Sequence, residues 1–387
     1  MTGLLKLGAV SILAAAVFFG VVPGIVEKQH NQVVGPKPAP VSAHAAALHK
    51  TLQIADMHAD TLLWSRDLNV AAGRGHVDLP RMTMGNMALQ VFSSVTKSPK
   101  HLNYDANRGD SDDITLLSVA QGQPIRTWNS LLQRSLWHAE KLQRAQAASG
   151  GRLRIVQSRT DVKRLLADRA AGAEVMGVML SVEGLHNLEG RFDNLDRLYA
   201  AGFRMAGLVH FFDNELAGSM HGVAKGGLTP FGLRVMRAMQ AQGMIVDIAH
   251  ASHATVADVL RETRAPIVSS HGGVQATCKV NRNLTDDEIR GVAASGGIVG
   301  IGYWDAAVCD ISPAGIVHAI AHVRDLVGVE HVGLGSDFDG SVTTQFDVAR
   351  LDAITAALID AGFTDAEITQ VMGGNVLGLL GRVLPET

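Results

Sequence analysis

Eight short apolar runs are spaced along this chain, and most lead into a polar side chain able to do chemistry. The runs are LQIADMH (52–58), MALQVFSSV (87–95), EVMGVMLSVEG (174–184), RMAGLVHFF (204–212), MIVDIAHA (244–251), APIVSSHG (265–272), GGIVGIGYW (296–304) and HVGLGSDF (331–338). Most are near-continuous rather than alternating, as expected of strands buried on both faces of a parallel sheet. At or just past their ends stand His58 and Asp60 in IADMHAD, Glu183 in VMLSVEG, His250 in IVDIAHAS, His271 in PIVSSHGG and Asp337 in VGLGSDFDG. A parallel α/β barrel gathers such groups around one mouth.

Between the runs lie amphipathic stretches with helix punctuation. FDNLDRLYAAG, TPFGLRVMRAMQAQG, SHATVADVLRETR, TDDEIRGVAASG and SPAGIVHAIAHVRDLVG start at a capping-type residue or Pro and mostly end near Gly. Strand and helix alternating eight times predicts an α/β fold of the (β/α)8 TIM-barrel type. A doubly wound open sheet is the alternative, and it leaves the polar strand ends unexplained. The 387 residues suit a barrel with insertions, and aromatics at 5% make the core mainly aliphatic. Residues 97–151 are too long for a loop and predict a helical insertion between the second and third strands, over the barrel mouth or beside it. LDAITAALIDAGFTDAEITQVMGGNVLGLLGRVL predicts the closing helices.

The N-terminus reads differently. Lys6 precedes an apolar stretch from Gly8 to Val26, near the roughly 20 residues of a membrane-spanning helix. The nearest Ala-x-Ala pattern, Ala43-His44-Ala45, lies well downstream. The expectation is a signal anchor or signal peptide over 1–28, a Pro/Ala-rich linker over 29–48 and a metallohydrolase domain over 49–387. The catalytic part would then be exported, membrane-anchored, or secreted if the segment is cut. A net charge of -3 without a long basic run argues against a nucleic-acid partner.

Histidines and carboxylates at one barrel mouth predict a divalent metal site. His58 and Asp60, two apart on a strand, point the same way and can grip one ion. Each single His is more often a core or surface residue; five groups at matching strand ends favour ligands. Five ligands exceed the need of one tetrahedral zinc with an open position, whereas two ions sharing a carboxylate use all five. Glu183 is the expected bridge. Zinc fits the set, with manganese or iron as alternatives. Asp337 is the candidate general base and acid; its alternative is a turn-capping Asp, since Asp339 follows in the same string.

The strings DMHAD, SVEGLHNLEG, LVHFFDNELAG, VDIAHAS, PIVSSHGG, NRNLTDDEIR and GSDFDG, in this order, resemble the membrane dipeptidase (renal dipeptidase) family of zinc peptidases, in the amidohydrolase superfamily. The resemblance covers nearly all of residues 50–381. Met57, Ala59 and Gly378 depart from the family's usual residues without touching a ligand position. It implies a dizinc barrel, with His58 and Asp60 on one zinc, His250 and His271 on the other, and Glu183 bridging. A metal-bridging hydroxide would attack the peptide bond of a dipeptide, including dipeptides with a C-terminal D-residue. His210 would polarise the carbonyl or hold the tetrahedral oxygen. Arg282 would bind the substrate carboxylate. Relatives often form dimers, and they carry a disulfide in the region of Cys278 and Cys309, for which the residues alone also allow two buried thiols. The alternatives are another metal-dependent amidohydrolase, acting on β-lactams or lactones, and a binding scaffold that has lost catalysis. No Lys stands at a ligand-bearing strand end, against the carboxylated-Lys enzymes, and no ligand is missing, against the lapsed scaffold.

Overall fold

The structure is a computed structural model that describes residues 17–387. Its strands are β1 (Gln32–Val33), β2 (Ile54–Ala59), β3 (Met87–Val95), β4 (Leu153–Ile155), β5 (Met176–Glu183), β6 (Phe203–Gly207), β7 (Ile245–Asp247), β8 (Ile267–Ser269), β9 (Ile298–Ile301), β10 (Val332–Leu334) and β11 (Thr343–Thr344). One sheet runs β3-β2-β10-β9-β8-β7-β6-β5-β4, and β3 also pairs with β5. That pairing closes eight strands into a barrel and leaves β4 as a short extra strand on β5. Every pairing within the sheet is parallel, so all strand C-termini open at one mouth. The eight barrel strands are buried along their whole lengths, which is why their sequences read as apolar runs rather than alternations.

The connecting helices start where the capping residues predict. Thr229, Ser252 and Ser312 accept backbone N–H groups at the heads of Pro230–Ala241, His253–Glu262 and Pro313–Val327, and Thr285 with Glu288 forms a reciprocal capping box for Asp286–Ala294. The insertion forms Ile114–Ala120 and the long helix Leu131–Ala148. The long helix packs beside the barrel against β3 and β4 rather than over the mouth. The C-terminal helices pack on β2 and β10, covering the seam between the first and last barrel strands.

Part of the apolar stretch from Gly8 to Val26 lies outside the described residues. Among the described residues no helix is long and apolar enough to cross a membrane. Val22–His30 is a nine-residue helix with Glu27 buried. The residues expected as linker lie along the barrel. β1 pairs with β11, and the helix Ala43–Thr51, capped by Ser42, places His49 Nδ1 2.9 Å from Thr355 Oγ1.

Candidate metal centre

The strand ends deliver their side chains to one point. His58 and Asp60 come from the end of β2, Glu183 is the last residue of β5, and His250, His271 and Asp337 follow β7, β8 and β10. Gly184, at φ +89°, turns the chain immediately after Glu183; a Cβ there would sit 2.6 Å from the His186 ring and 2.9 Å from His210 Cβ. His250 and Asp337 hold left-handed backbone, φ 63° and 60°, a conformation that is uncommon for non-glycine residues and concentrates at functional sites.

Glu183 divides its two oxygens between two groups. Oε1 lies 2.7 Å from His250 Nε2 and 3.2 Å from His271 Nε2, while Oε2 lies 3.7 Å from His58 Nε2. His58 Nε2 is in turn 3.5 Å from Asp60 Oδ1 and 3.8 Å from Asp337 Oδ1. Two sets therefore share one carboxylate: His58, Asp60 and Glu183, and Glu183, His250 and His271, each able to bring its donor atoms within 4.8 Å of one another. His58 Nε2 and Asp60 Oδ1 are buried without a hydrogen-bond partner, a costly state unless a cation is shared there. The residues present thus fit divalent metal, with Glu183 common to both sets.

The electrostatics say the same. Burial opposes charge on His58, yet Asp60, Glu183 and Asp337 overturn it and hold the imidazole up at about 10. The three acids favour positive charge at this ring. Burial, with the charge of Asp60 added, pushes Glu183 well above the usual carboxylate range, and burial does the same to Asp337. Burial drives His250 and His271 well down, leaving neutral rings suited to ligation.

A further ring of groups orients these donors, and the sequence reading did not single it out. Asp56 accepts from His58 N, Gln90 Nε2 and Ser336 N, each at 3.0 Å. Asp247 accepts from Ala249 N and Ser270 N at 2.9 Å and from Ser270 Oγ at 2.5 Å, and Ser270 Oγ lies 2.9 Å from His271 Nδ1. Such partners fix ring orientation. Their signal was present in the strings DMH and DIAH, each an acid just upstream of the ligand-type His.

His210 Nε2 is 3.5 Å from Glu183 Oε1, and its Nδ1 is 3.3 Å from the Lys97 carbonyl. Burial lowers it to about 4. Arg282 is 5% exposed and donates through Nη2 to the His271 carbonyl at 2.8 Å. Its Nε has no partner, and no carboxylate pairs with it among the described residues. Its guanidinium lies 5.8 Å from the Trp304 ring centre. Trp304, whose indole N–H donates to the Tyr104 hydroxyl at 3.0 Å, helps to wall a cavity of about 320 Å³ that also touches Asp60, Glu183, His210, His250 and Asp337. Cys278 and Cys309 are joined in a disulfide.

Paired metal-ligand sets at the C-terminal mouth of a (β/α)8 barrel define a metallohydrolase-type centre. The profile described as Membrane dipeptidase (Peptidase family M19) matches residues 42–386, and the chain belongs to that family. Dipeptidase aclJ of Aspergillus oryzae is 37% identical over 215 residues, 53% of this chain and 51% of that protein, so the chain spans about half the length of this relative. A metallo peptidase from Rhodobacter sphaeroides, liganded with a phosphinate mimic of the dipeptide L-Ala-D-Ala, superposes with TM-score 0.70 at 24% identity, covering 86% of this chain and 99% of that one. The probable dipeptidase PvdM from Pseudomonas aeruginosa superposes with TM-score 0.74 at 21% identity over 88% and 97%. At these identities the two structures speak for the fold.

Proposed function

We propose that this chain is a dizinc dipeptidase that hydrolyses the one peptide bond of a dipeptide, including dipeptides with a D-residue at the C-terminal position. His58 and Asp60 would hold one ion, His250 and His271 the other, and Glu183 both. Bound there, the two ions supply Lewis acidity and a hydroxide nucleophile at neutral pH. The chain's own groups do the rest. Asp337, whose carboxyl burial keeps ready to hold a proton, takes one at its Oδ and returns it to the leaving amine nitrogen. His210 is neutral at pH 7; with its proton on Nε2 it donates to the oxygen that becomes tetrahedral. Nδ1 faces the Lys97 carbonyl, an acceptor, at 3.3 Å, so carrying the proton on Nε2 means giving up that hydrogen bond when substrate binds. The exported placement, anchored through the segment that begins at Gly8, fits a domain that carries a disulfide.

The observation that carries the dipeptide reading is the buried Arg282 guanidinium with no acid of its own. A free substrate carboxylate supplies that acid in forked geometry, and a clamp at a fixed distance from the ions admits two residues and no more. A panel of L,L and L,D dipeptides beside their C-terminal amides, with and without zinc, tests it. The acids should be cleaved and the amides spared. Arg282→Met should shrink that preference by roughly 2–5 kcal/mol while metal content holds. Equal kcat/KM for a dipeptide and its amide in the unmodified enzyme would remove the clamp and the dipeptidase reading together.

A further inference from the structure

The loop that carries Asp337 is an improbable shape held in place from outside the barrel. Asp337, Asp339 and Ser341 are all non-glycine residues in left-handed backbone, φ 60°, 64° and 62°, and such a run persists only where its surroundings over-determine it. Those surroundings include the segment before the barrel. Ser341 N donates to Asn31 Oδ1 at 2.9 Å, Gln32 N donates to the Val342 carbonyl at 3.3 Å, and Val34 N donates to the Thr344 carbonyl at 2.9 Å. Behind them, Glu27 is 1% exposed. One of its oxygens accepts from Arg66 Nε and the other from Arg74 Nε at 2.6 Å. Arg66 also donates to Asp339 and to the Val77 carbonyl. Arg66 follows β2, so the segment is fastened both to the loop after His58 and Asp60 and to the loop of Asp337. Gly340, Ser341, Val342 and Thr343 line the catalytic cavity, so the segment braces that wall from behind.

We propose that Val22–Val34 is a permanent strap of the enzyme, and that Glu27 is a positioning residue for Asp337, acting through Arg66 and Asp339. Any processing of the N-terminus then stops short of Val22, and the Ala-x-Ala pattern at 43–45 is not a cleavage site. A cut there would leave Arg66 and Arg74 without Glu27 and the loop without its hydrogen bonds to Asn31, Gln32 and Val34.

The role given to Glu27 rests on Asp337 as the proton-handling group; the strap itself does not. Two measurements keep them apart. The first is the intact mass of protein recovered from the envelope of cells expressing the full chain. It should retain residues 22–34; a fully active protein beginning after Ala45 would overturn the strap. The second is Glu27→Gln, with Val34→Pro as a milder surface variant that removes only the Thr344 bond. Glu27→Gln should lower kcat on a dipeptide by about 10- to 100-fold, the scale of a small misplacement of a reacting group, with KM within about twofold. Metal content should be unchanged, and amide exchange over 337–344 should be faster. Val34→Pro should move both readouts the same way by less, and it decides the matter if Glu27→Gln does not fold. Unchanged kcat and unchanged exchange in both variants would overturn the proposal. Faster exchange in an enzyme that cleaves no dipeptide would uphold the strap and sink the dipeptidase reading instead.

Discussion

Asp337 and Asp339 stand two residues apart in one loop, both buried and both in left-handed backbone, yet their protons are held in opposite ways. Burial raises Asp337 well above the usual carboxylate range, with Asp60 adding to it against the pull of His58. Burial pushes Asp339 up too, but Arg66 and His76 reverse it, helped by a 2.7 Å bond from Thr61 Oγ1 and a 2.6 Å bond from His76 N, and Asp339 ends below its ordinary value. The difference lies in what faces each acid. Asp339 sits in a network that brings its own cations, Arg66 and Arg74, and closes on itself. Asp337 faces a cluster of acids and rings in which His58 and Arg282 offset burial only in part. A complete network is structural; an incomplete one is where a metal and a substrate enter.

The largest expected effect tests that incompleteness. Glu183→Gln removes the only carboxylate shared by both ligand sets. Activity should fall by about 10³-fold or more, and elemental analysis should find markedly less than the two ions per chain expected of the native protein, because both sets lose a charged donor. Chelator should reproduce the loss and zinc should reverse it only in the native chain. Normal metal content with normal activity would end the bridging role. Next comes Asp337→Asn, with kcat down by about 10²–10⁴ and metal content unchanged. Loss of metal in that variant would make Asp337 a ligand rather than a proton carrier.

The incomplete region was legible in the sequence and the complete one was not, for a physical reason. A barrel strand delivers its last residue to the mouth whatever its length, so an apolar run followed by His or Glu marks both the element and the site. Strand lengths were less legible. The run 204–212 is apolar except for Arg204 and His210, but β6 ends at Gly207; Leu208, Val209 and Phe212 are apolar because they are buried in the loop that carries His210. Burial selects those residues without regard to extended backbone. β4, three residues on the edge of β5, is too short for any period to show. The Glu27–Arg66–Asp339 network joins residues 39 and 273 positions apart, and charges paired at such distances leave no spacing to read. Glu27 also falls at the tail of a stretch whose hydropathy speaks of membrane, which hid its contact with the barrel.

The last effect falls below those of Glu183 and Asp337 on the chemistry, on the scale given for Glu27→Gln, and it is the sharpest on stability. Asp339→Asn keeps the size of the side chain and takes away the charge that Arg66 and His76 face, so unfolding at pH 7 should become easier by roughly 3–5 kcal/mol, the cost of breaking a buried pair. Asp339 is held below its ordinary value of about 3.9 in the folded chain. The folded state therefore binds this proton less readily than the unfolded one. The stabilisation is fully present above the unfolded value and drains away as pH falls through the folded one. The gap between native and Asp339→Asn in urea unfolding should thus be wide at pH 7 and close progressively below about pH 4. Asp337→Asn should show no such closing, because its folded value is raised rather than lowered. If the Asp339→Asn gap is the same at pH 3 as at pH 7, the charge of Asp339 is not what ties the two loops together, and the contrast between the two aspartates fails at its structural end.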